Sequence, residues 1–444
     1  MVVMNVGLFS WIWLEYYNRF AFRSHRLEGA VGAIIAYFII YRWLSKLYRG
    51  YAFASSSIGE TVLSQFISFG ISDLALYIAS CLLRRNYVNI LPGATIVVTQ
   101  LAGTLLLSLA TKRYLMRHLT PTNTLLIYGE KEDAESANFF VRRLTSKYGH
   151  LFSVQNIVEE SEPREKIYKL IEQSENVMFM GVTPRRRTRY MEKCLDENKV
   201  FFFVPEFEDI LCRSCSVKNF LDTPLMRYDY SYKRDRNYLI KRVFDLVLSV
   251  ISLAILLPFM IITAIAIKIE DGGPIFFRQD RVTQNGKTFS ILKFRSMVVD
   301  AEKYGAIPAT AKDPRITKVG HIIRMTRIDE TPQIFNVLLG QMSFVGPRPE
   351  RTLHVELYEK EVPEFKYRLR VKGGLTGYAQ VYGKYNTSPE DKMKLDMLYI
   401  ENQSFLLDFK LILLTIKTMF QPESTEGFDE AKSKAINQHD QKAG

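Results

Sequence analysis

Asp329 and Glu330 stand side by side in Thr326-Arg327-Ile328-Asp329-Glu330-Thr331-Pro332-Gln333, ahead of the apolar-spaced run 334–340. Pro332 early in that run and Gly340 at its end predict a short helix. Both carboxylates then fall at or just before its first turn, where free backbone N–H groups favour anions. Neighbouring helical residues point about 100° apart. One carboxylate could therefore face a phosphorus atom while the other holds a metal. Acid pairs at helix starts also occur as plain dipole complements, so the pair alone decides nothing.

Cations surround it in the sequence. Phe289-Ser290-Ile291-Leu292-Lys293-Phe294-Arg295 alternates as a strand and puts Lys293 and Arg295 on one face. Two cations at that spacing could clamp a diphosphate; two solvated bases on an edge strand are the plain alternative. Arg348 lies between Pro347 and Pro349, which stiffen the backbone and fix its guanidinium, and a fork so held suits a phosphate or a nucleotide edge. Glu350 either coordinates a metal or orients an arginine. The segment 371–381 is rich in glycine and ends in Ala379-Gln380-Val381; by itself it reads as a turn.

These residues need a scaffold. Asp271-Gly272-Gly273-Pro274 is a turn, and Asn285-Gly286 marks a hairpin between apolar runs. Ahead of them, 243–267 is apolar, interrupted by Asp245 and by Pro258 near its middle, with Lys241, Arg242 and Lys268 flanking it. Proline frees a carbonyl that lipid cannot satisfy. Cations at both ends fit a helix that bends and returns to its own side, and a straight span remains an equal alternative.

The whole chain of 444 residues carries 59 Lys and Arg against 47 Asp and Glu, a formal charge of +12, with four cysteines. Disulfide-built secreted folds and low-complexity disorder are excluded. The surplus of base suggests an anionic partner. No nucleic-acid module accompanies it, so nucleic acid is not expected. Three apolar stretches, 29–43 (extended by Leu44 and Leu47), 62–83 and 90–110, are long enough to cross a bilayer. A weaker one, 6–22, carries Glu15 and Arg19 and reads as a short first span or an interfacial helix. No small-residue cleavage site comes after it, so it is not read as a signal peptide. Four spans are favoured over three. Lys112, Arg113 and Arg117 place the chain beyond the third clear span on the cytoplasmic side, although Arg84 and Arg85 on the other side blur the signal.

Between 121 and 230, short apolar runs at 125–128, 177–180 and 200–204 alternate with polar helical segments, the pattern of a parallel α/β sheet. No GxGxxG comes after Gly129, so this Rossmann-like unit gives no evidence of a cofactor. Arg185, Arg186, Arg187 and Arg189 after Pro184 oppose a helix dipole unless an anion sits there, a solvated face being the default. Cys212 and Cys215 form a lone CxxC without further zinc ligands.

Taken together, residues 238–420 resemble the bacterial sugar transferase family, the monotopic phosphoglycosyl transferases that move a sugar phosphate from a nucleotide sugar to polyprenyl phosphate. The resemblance rests on the Lys-Arg-led, Pro-broken apolar helix, Lys293-Phe294-Arg295-Ser296-Met297, Asp329-Glu330 before Pro332-Gln333, Val345-Gly346-Pro347-Arg348-Pro349-Glu350 and Leu375-Thr376-Gly377-Tyr378-Ala379-Gln380-Val381. It implies a membrane α/β protein. Transmembrane helices (1–118, four favoured) would precede a Rossmann-like cytoplasmic domain (119–235). A catalytic α/β domain (236–422) would come next, with a re-entrant helix at 241–268 and interfacial helices at 395–399 and 405–420, and then a polar tail (423–444). For the last of those helices a core position is an equal alternative.

It implies Asp329 as nucleophile, Glu330 as the Mg2+-binding partner, and Pro258 as the break in the re-entrant helix. Lys293, Arg295, Arg327, Arg348, Glu350 and Gln380 become candidate substrate-binding residues. The expected partners are a UDP-sugar, polyprenyl (undecaprenyl) phosphate and the bilayer. The expected place is the bacterial inner membrane, with the catalytic domain on the cytoplasmic face and the first membrane step of exopolysaccharide, capsule or O-antigen synthesis as the task. A homodimer is compatible, though no heptad or apolar patch announces one. A non-catalytic membrane scaffold is the other reading. Three places depart from the family pattern: Arg281-Val282-Thr283 where Arg-Val-Gly is usual, Gly340-Gln341-Met342-Ser343 for Gly-Asp-Met-Ser, and Lys372-Gly373-Gly374 for Lys-Pro-Gly. They put the donor-side loop geometry in question and leave the dyad untouched.

Overall fold

A computed structural model describes residues 1–17, 26–130, 132–299, 301, 313–383 and 387–419. Residues 18–22 of the first apolar stretch and the polar tail lie outside the described residues. The chain forms two compact units, Met1–Val204 and a second from Pro205 onward.

In the first unit, α1 (Val2–Ile12), α2 (Arg26–Leu47), α3 (Ile58–Arg84) and α4 (Leu91–His118) pack together. Stretches within α2, α3 and α4 are long and apolar enough to cross a membrane, as is residues 238–271 of the second unit. Helix α1 runs on without a break into a π-helical turn over Trp13–Tyr17. Phe9, Ile12, Trp13 and Tyr17 bury themselves against Tyr37, Tyr41 and Phe69 of the bundle.

Strands β1 (Thr122–Tyr128), β2 (Phe152–Glu159), β3 (Asn176–Met180) and β4 (Val200–Phe203) form a parallel sheet in the order β2-β1-β3-β4. Helices α5 (Ala134–Tyr148), α6 (Arg164–Gln173) and α7 (Pro184–Asp196) connect them. The order reverses between β1 and β3, where such sheets open a ligand crevice. Here Glu160 fills it: its carboxylate accepts from the backbone N–H of Glu130 at 3.2 Å and of Thr183 at 3.0 Å, and from the Thr183 hydroxyl. The anion that offsets the arginines opening α7 is thus the chain's own. Arg186 donates to the Glu160 carbonyl, and Arg187 lies over the Phe203 ring.

The second unit begins with α8 (Phe207–Ser214), with Cys212 inside it and Cys215 just after it as free thiols, and a fully exposed hairpin, β5 (Ser216–Phe220) and β6 (Thr223–Arg227). Then comes α9 (Tyr230–Asp271), a single 42-residue helix with Pro258 inside it. Strands β7 (Phe276–Val282) and β8 (Thr288–Phe294) pair antiparallel around Asn285, whose φ of 59° suits the tight turn expected there. Helix α10 (Lys318–Met325), a 3-10 turn over Ile328–Glu330, and α11 (Gln333–Leu338) come next. After them stand β9 (Ser343–Val345), α12 (Thr352–Glu361), a 3-10 segment (Pro363–Arg370), β10 (Gly374–Thr376) parallel to β9, and α13 (Tyr378–Tyr382).

Two last helices, α14 (Pro389–Glu401) and α15 (Phe405–Met419), close the core. Residues 395–399 are not an interfacial surface. Met397 and Tyr399 are fully buried, because α14 packs against the 3-10 segment on one side and α8 on another. Helix α15 does both jobs: Asp408, Leu411 and Leu414 face inward, while Phe405, Leu406 and Ile416 stay exposed.

Candidate active site

Arg327 takes a left-handed backbone, φ 58°, which ends α10 and tightens the chain into the 3-10 turn holding Asp329 and Glu330. Ile334 and Val337 anchor α11 behind them. From β8, Lys293 Nζ donates to Glu330 Oε1 at 2.8 Å; from the Pro-Arg-Pro segment, Arg348 Nη2 donates to the same oxygen at 2.7 Å. The structure therefore brings Asp329, Glu330, Lys293 and Arg348 together from three separate stretches of sequence.

The electrostatics differ across the dyad. Burial opposes charge on Glu330, but Arg348 and Lys293 outweigh it and hold the carboxyl well below the usual range. The Arg348 guanidinium is stabilised in return. Burial, and then the Glu330 charge, push Asp329 up to about 6 against the pull of Lys293, Arg324 and Arg327. Its Oδ1 is buried with no hydrogen-bond partner among the described residues. At neutral pH it is an ionised, poorly solvated carboxylate with cations nearby.

The other expected residues sit elsewhere. Arg295 is engaged by all three of its nitrogens: Nη1 and Nη2 grip Asp271 at the end of α9, and Nε donates to the Pro274 carbonyl at 2.7 Å. Lys293 and Arg295 have separate partners, so no diphosphate clamp is assembled between them. Glu350 lies behind Arg348, accepting from Lys392 Nζ at 2.9 Å with Arg368 and Arg281 within 4 Å. Burial would raise its carboxyl, but those cations bring it down to about 2. The Gln380 amide has both polar atoms buried without partners among the described residues.

A supporting network escaped the sequence. Arg368 pairs with Asp396, both almost wholly buried, at 2.7 Å, and also donates to the Arg348 carbonyl at 3.0 Å. Arg281 donates to the Pro349 carbonyl, and the Glu350 carbonyl accepts from Val282 N–H. The Pro-Arg-Pro backbone is thereby fixed on both sides. The three departures from the family pattern also meet: Thr283 Oγ1 donates to the Gln341 carbonyl and accepts from the Gly373 N–H, both at 3.1 Å. Proline at 373 would have no N–H to give.

Among the described residues no group of three or more His, Cys, Asp or Glu is gathered for a metal. Mg2+ commonly takes one or two protein carboxylates and completes its shell with water and substrate phosphate. An ionised Glu330 beside the unpartnered Asp329 Oδ1 fits that donor set.

The family model for bacterial sugar transferases matches residues 236–422. A putative undecaprenyl-phosphate N-acetylgalactosaminyl 1-phosphate transferase of Bacillus subtilis is 49% identical over 142 residues, 32% of this chain and 79% of the relative. The chain belongs to the bacterial sugar transferase family. An N-acetylgalactosaminephosphotransferase acting on undecaprenyl phosphate from Aeromonas hydrophila is 43% identical over 183 residues, 40% of this chain and 43% of the relative. A UDP-glucose:undecaprenyl-phosphate glucose-1-phosphate transferase of Klebsiella pneumoniae is 42% identical over 185 residues, 40% of each. The match to these two spans about two fifths of each relative's length.

Proposed function

We propose that the chain transfers a hexose 1-phosphate from a UDP-sugar to polyprenyl phosphate, releasing UMP and leaving a polyprenyl diphosphosugar. The observation that carries this reading is the pair Asp329 and Glu330 with Lys293 and Arg348 on Glu330 Oε1. An anionic nucleophile meets an anionic donor only where positive charge offsets the repulsion, and preorganised cations supply that without reorganisation. Relatives named for undecaprenyl phosphate with glucose or N-acetylgalactosamine donors support both substrate classes and leave the hexose open between them.

In the proposed reaction Asp329 Oδ1 attacks the sugar-bearing phosphorus. The new O–P bond forms as the bond to the bridging oxygen breaks, and UMP leaves with that electron pair. A phosphate oxygen of the lipid then attacks the same phosphorus, and Asp329 departs as a carboxylate. Both attacking oxygens are already ionised, so no proton moves. Arg348, held by its two prolines and by Arg368 and Arg281 on the neighbouring carbonyls, orients the donor's phosphates. Glu330 would hold Mg2+, which bound there supplies charge for the phosphoryl oxygens.

The same reading makes α9 re-entrant. Where its apolar stretch begins, Lys241 reaches Asp408 and the Val345 carbonyl, Arg242 caps α11 at the Val337 and Leu338 carbonyls, and Asp245 accepts from the Ser343 hydroxyl and the Phe344 N–H. At its other end Glu270 accepts from Lys318 and Val319 N–H, and Asp271 grips Arg295. A helix with both ends tied to one water-soluble domain does not deliver them to opposite faces of a bilayer. Its outer side (Val250, Ile251, Ile255, Ile262) is exposed and apolar, as a surface sunk in lipid would be. Leu256, Phe259 and Met260 also line an apolar recess with Ile328 and Thr331 of the dyad's own turn, a place for the first isoprene units of the acceptor. The site would then work at the cytoplasmic face of the bacterial cell membrane.

Purified protein, Mg2+, polyprenyl phosphate and a panel of UDP-sugars test the reading. UMP formed in step with a lipid diphosphosugar supports it. Absence of UMP with every donor contradicts it and favours a non-catalytic scaffold.

A further inference from the structure

The interior of the N-terminal bundle is polar where a membrane protein can least accommodate it. Asp73 lies near the middle of α3 with both carboxylate oxygens buried and neither holding a hydrogen bond of good geometry among the described residues. The Tyr37 hydroxyl on α2 is the donor that approaches it. That hydroxyl accepts from Gln100 Nε2 of α4 at 2.8 Å, and the same amide nitrogen donates to the Asn5 carbonyl of α1 at 3.2 Å. Asn5 Nδ2 in turn donates to Tyr41 OH, which donates to Gln65. Four elements therefore meet at one level, and Asn5, Tyr37, Tyr41, Gln65 and Gln100 are all fully buried.

Oxygen acceptors in this cluster are left over. Gln100 Oε1 and Asn5 Oδ1 are buried without partners among the described residues, and the oxygens of Asp73 lack a well-formed hydrogen bond. A lone carboxylate in this medium is costly, and intramembrane acids are retained where something pairs with them. A proton on Asp73 would neutralise the charge and satisfy one neighbouring acceptor, leaving the rest. A small hard cation satisfies several oxygens at once and cancels the charge. A route for it is visible along α4. Gln100, Thr104 and Ser108 repeat every four residues on its buried face, and the hydroxyls of Thr104 and Ser108 have no partner among the described residues. Helix α3 carries its own buried row, Ser64, Ser68 and Ser72, whose hydroxyls back-bond to carbonyls one turn earlier.

We infer that the N-terminal bundle contains a binding site for a small monovalent cation, formed by Asp73 with the side-chain oxygens of Gln100 and Asn5. The site lies in the first compact unit and does not depend on the transfer reaction proposed for the second.

Thermal unfolding of the full-length protein in lipid nanodiscs tests it, in NaCl and in choline chloride at equal ionic strength and pH. Binding to the native state alone raises the melting temperature with free ligand. The expected result is a saturable rise of a few degrees in Na+ over choline that disappears in Asp73→Asn. Sodium NMR on the unaltered protein gives a reading independent of how well the variant folds, with excess line broadening that saturates as Na+ is added. Equal melting in the two salts without excess broadening overturns the inference and makes a proton the occupant. A sodium effect of unchanged size in a folded Asp73→Asn protein also overturns it.

Discussion

Asp329 Oδ1 is a buried carboxylate oxygen next to fixed cations, with no donor of the described residues committed to it. Asp329→Asn removes the nucleophile while keeping the shape, so donor-dependent UMP release should fall about 10³-fold or more. Lys293→Met should cost about 10²–10³-fold in turnover, since Glu330 keeps only Arg348. Behind them, Arg368 and Asp396 pair at 2% and 1% side-chain exposure. Arg368→Met leaves an uncompensated buried acid and should destabilise the domain by about 3–5 kcal/mol, read as a lowered thermal midpoint. Glu350 gives a pH dependence. Its carboxyl is held at about 2, below its usual value of about 4.3, so its contribution to stability is complete above that usual value and is lost as pH falls towards 2. Glu350→Gln should flatten that part of the acid-unfolding curve. At this scale the gathering of the dyad with Arg348 and Lys293 was legible, because each sits in a recognisable local pattern. Arg368 and Asp396 were not: 28 residues separate them, and no spacing rule joins a 3-10 segment to a helix that lies past both β10 and α13.

Elements were legible where apolar residues repeat cleanly. Strands β1, β3 and β4 and the hairpin at Asn285 match the expectation, as do the three long apolar helices of the bundle. Strand β2, Phe-Ser-Val-Gln-Asn-Ile-Val-Glu, was missed because polar residues break its run on what is an outer position of the sheet. Residues 395–399 were read as interfacial because Asp396 stands among Leu395, Met397 and Tyr399; its burial depends on Arg368, a partner that only the fold supplies. The loop contact among Thr283, Gln341 and Gly373 belongs here too. Thr283→Val removes the acceptor of the buried Gly373 N–H and should cost about 1–3 kcal/mol. For α9, single cysteines in place of Leu239 and Ile269, which are exposed near the two ends, should be labelled from the same side of sealed inverted vesicles by an impermeant maleimide. Labelling from opposite sides would mean a straight span.

Over the whole molecule, the +12 charge divides between membrane flanks, the arginines of α7 and the site around Glu330, so it marks no single binding face. The two compact units divide their burdens accordingly. The first keeps a polar interior inside an apolar bundle and closes its Rossmann-like crevice with Glu160; the second sets a helix with an exposed apolar side beside the dyad and its two cations. The claim that unites the second unit is a covalent sugar phosphate on Asp329. The direct measurement is the intact mass of purified protein incubated with Mg2+ and a UDP-sugar in the absence of any lipid acceptor. A mass increase of one sugar phosphate, mapped to the peptide containing Asp329 and matched by one equivalent of UMP, is the expected result. Unmodified protein with no UMP, and turnover only once polyprenyl phosphate is added, would contradict it and assign the transfer to a single direct displacement.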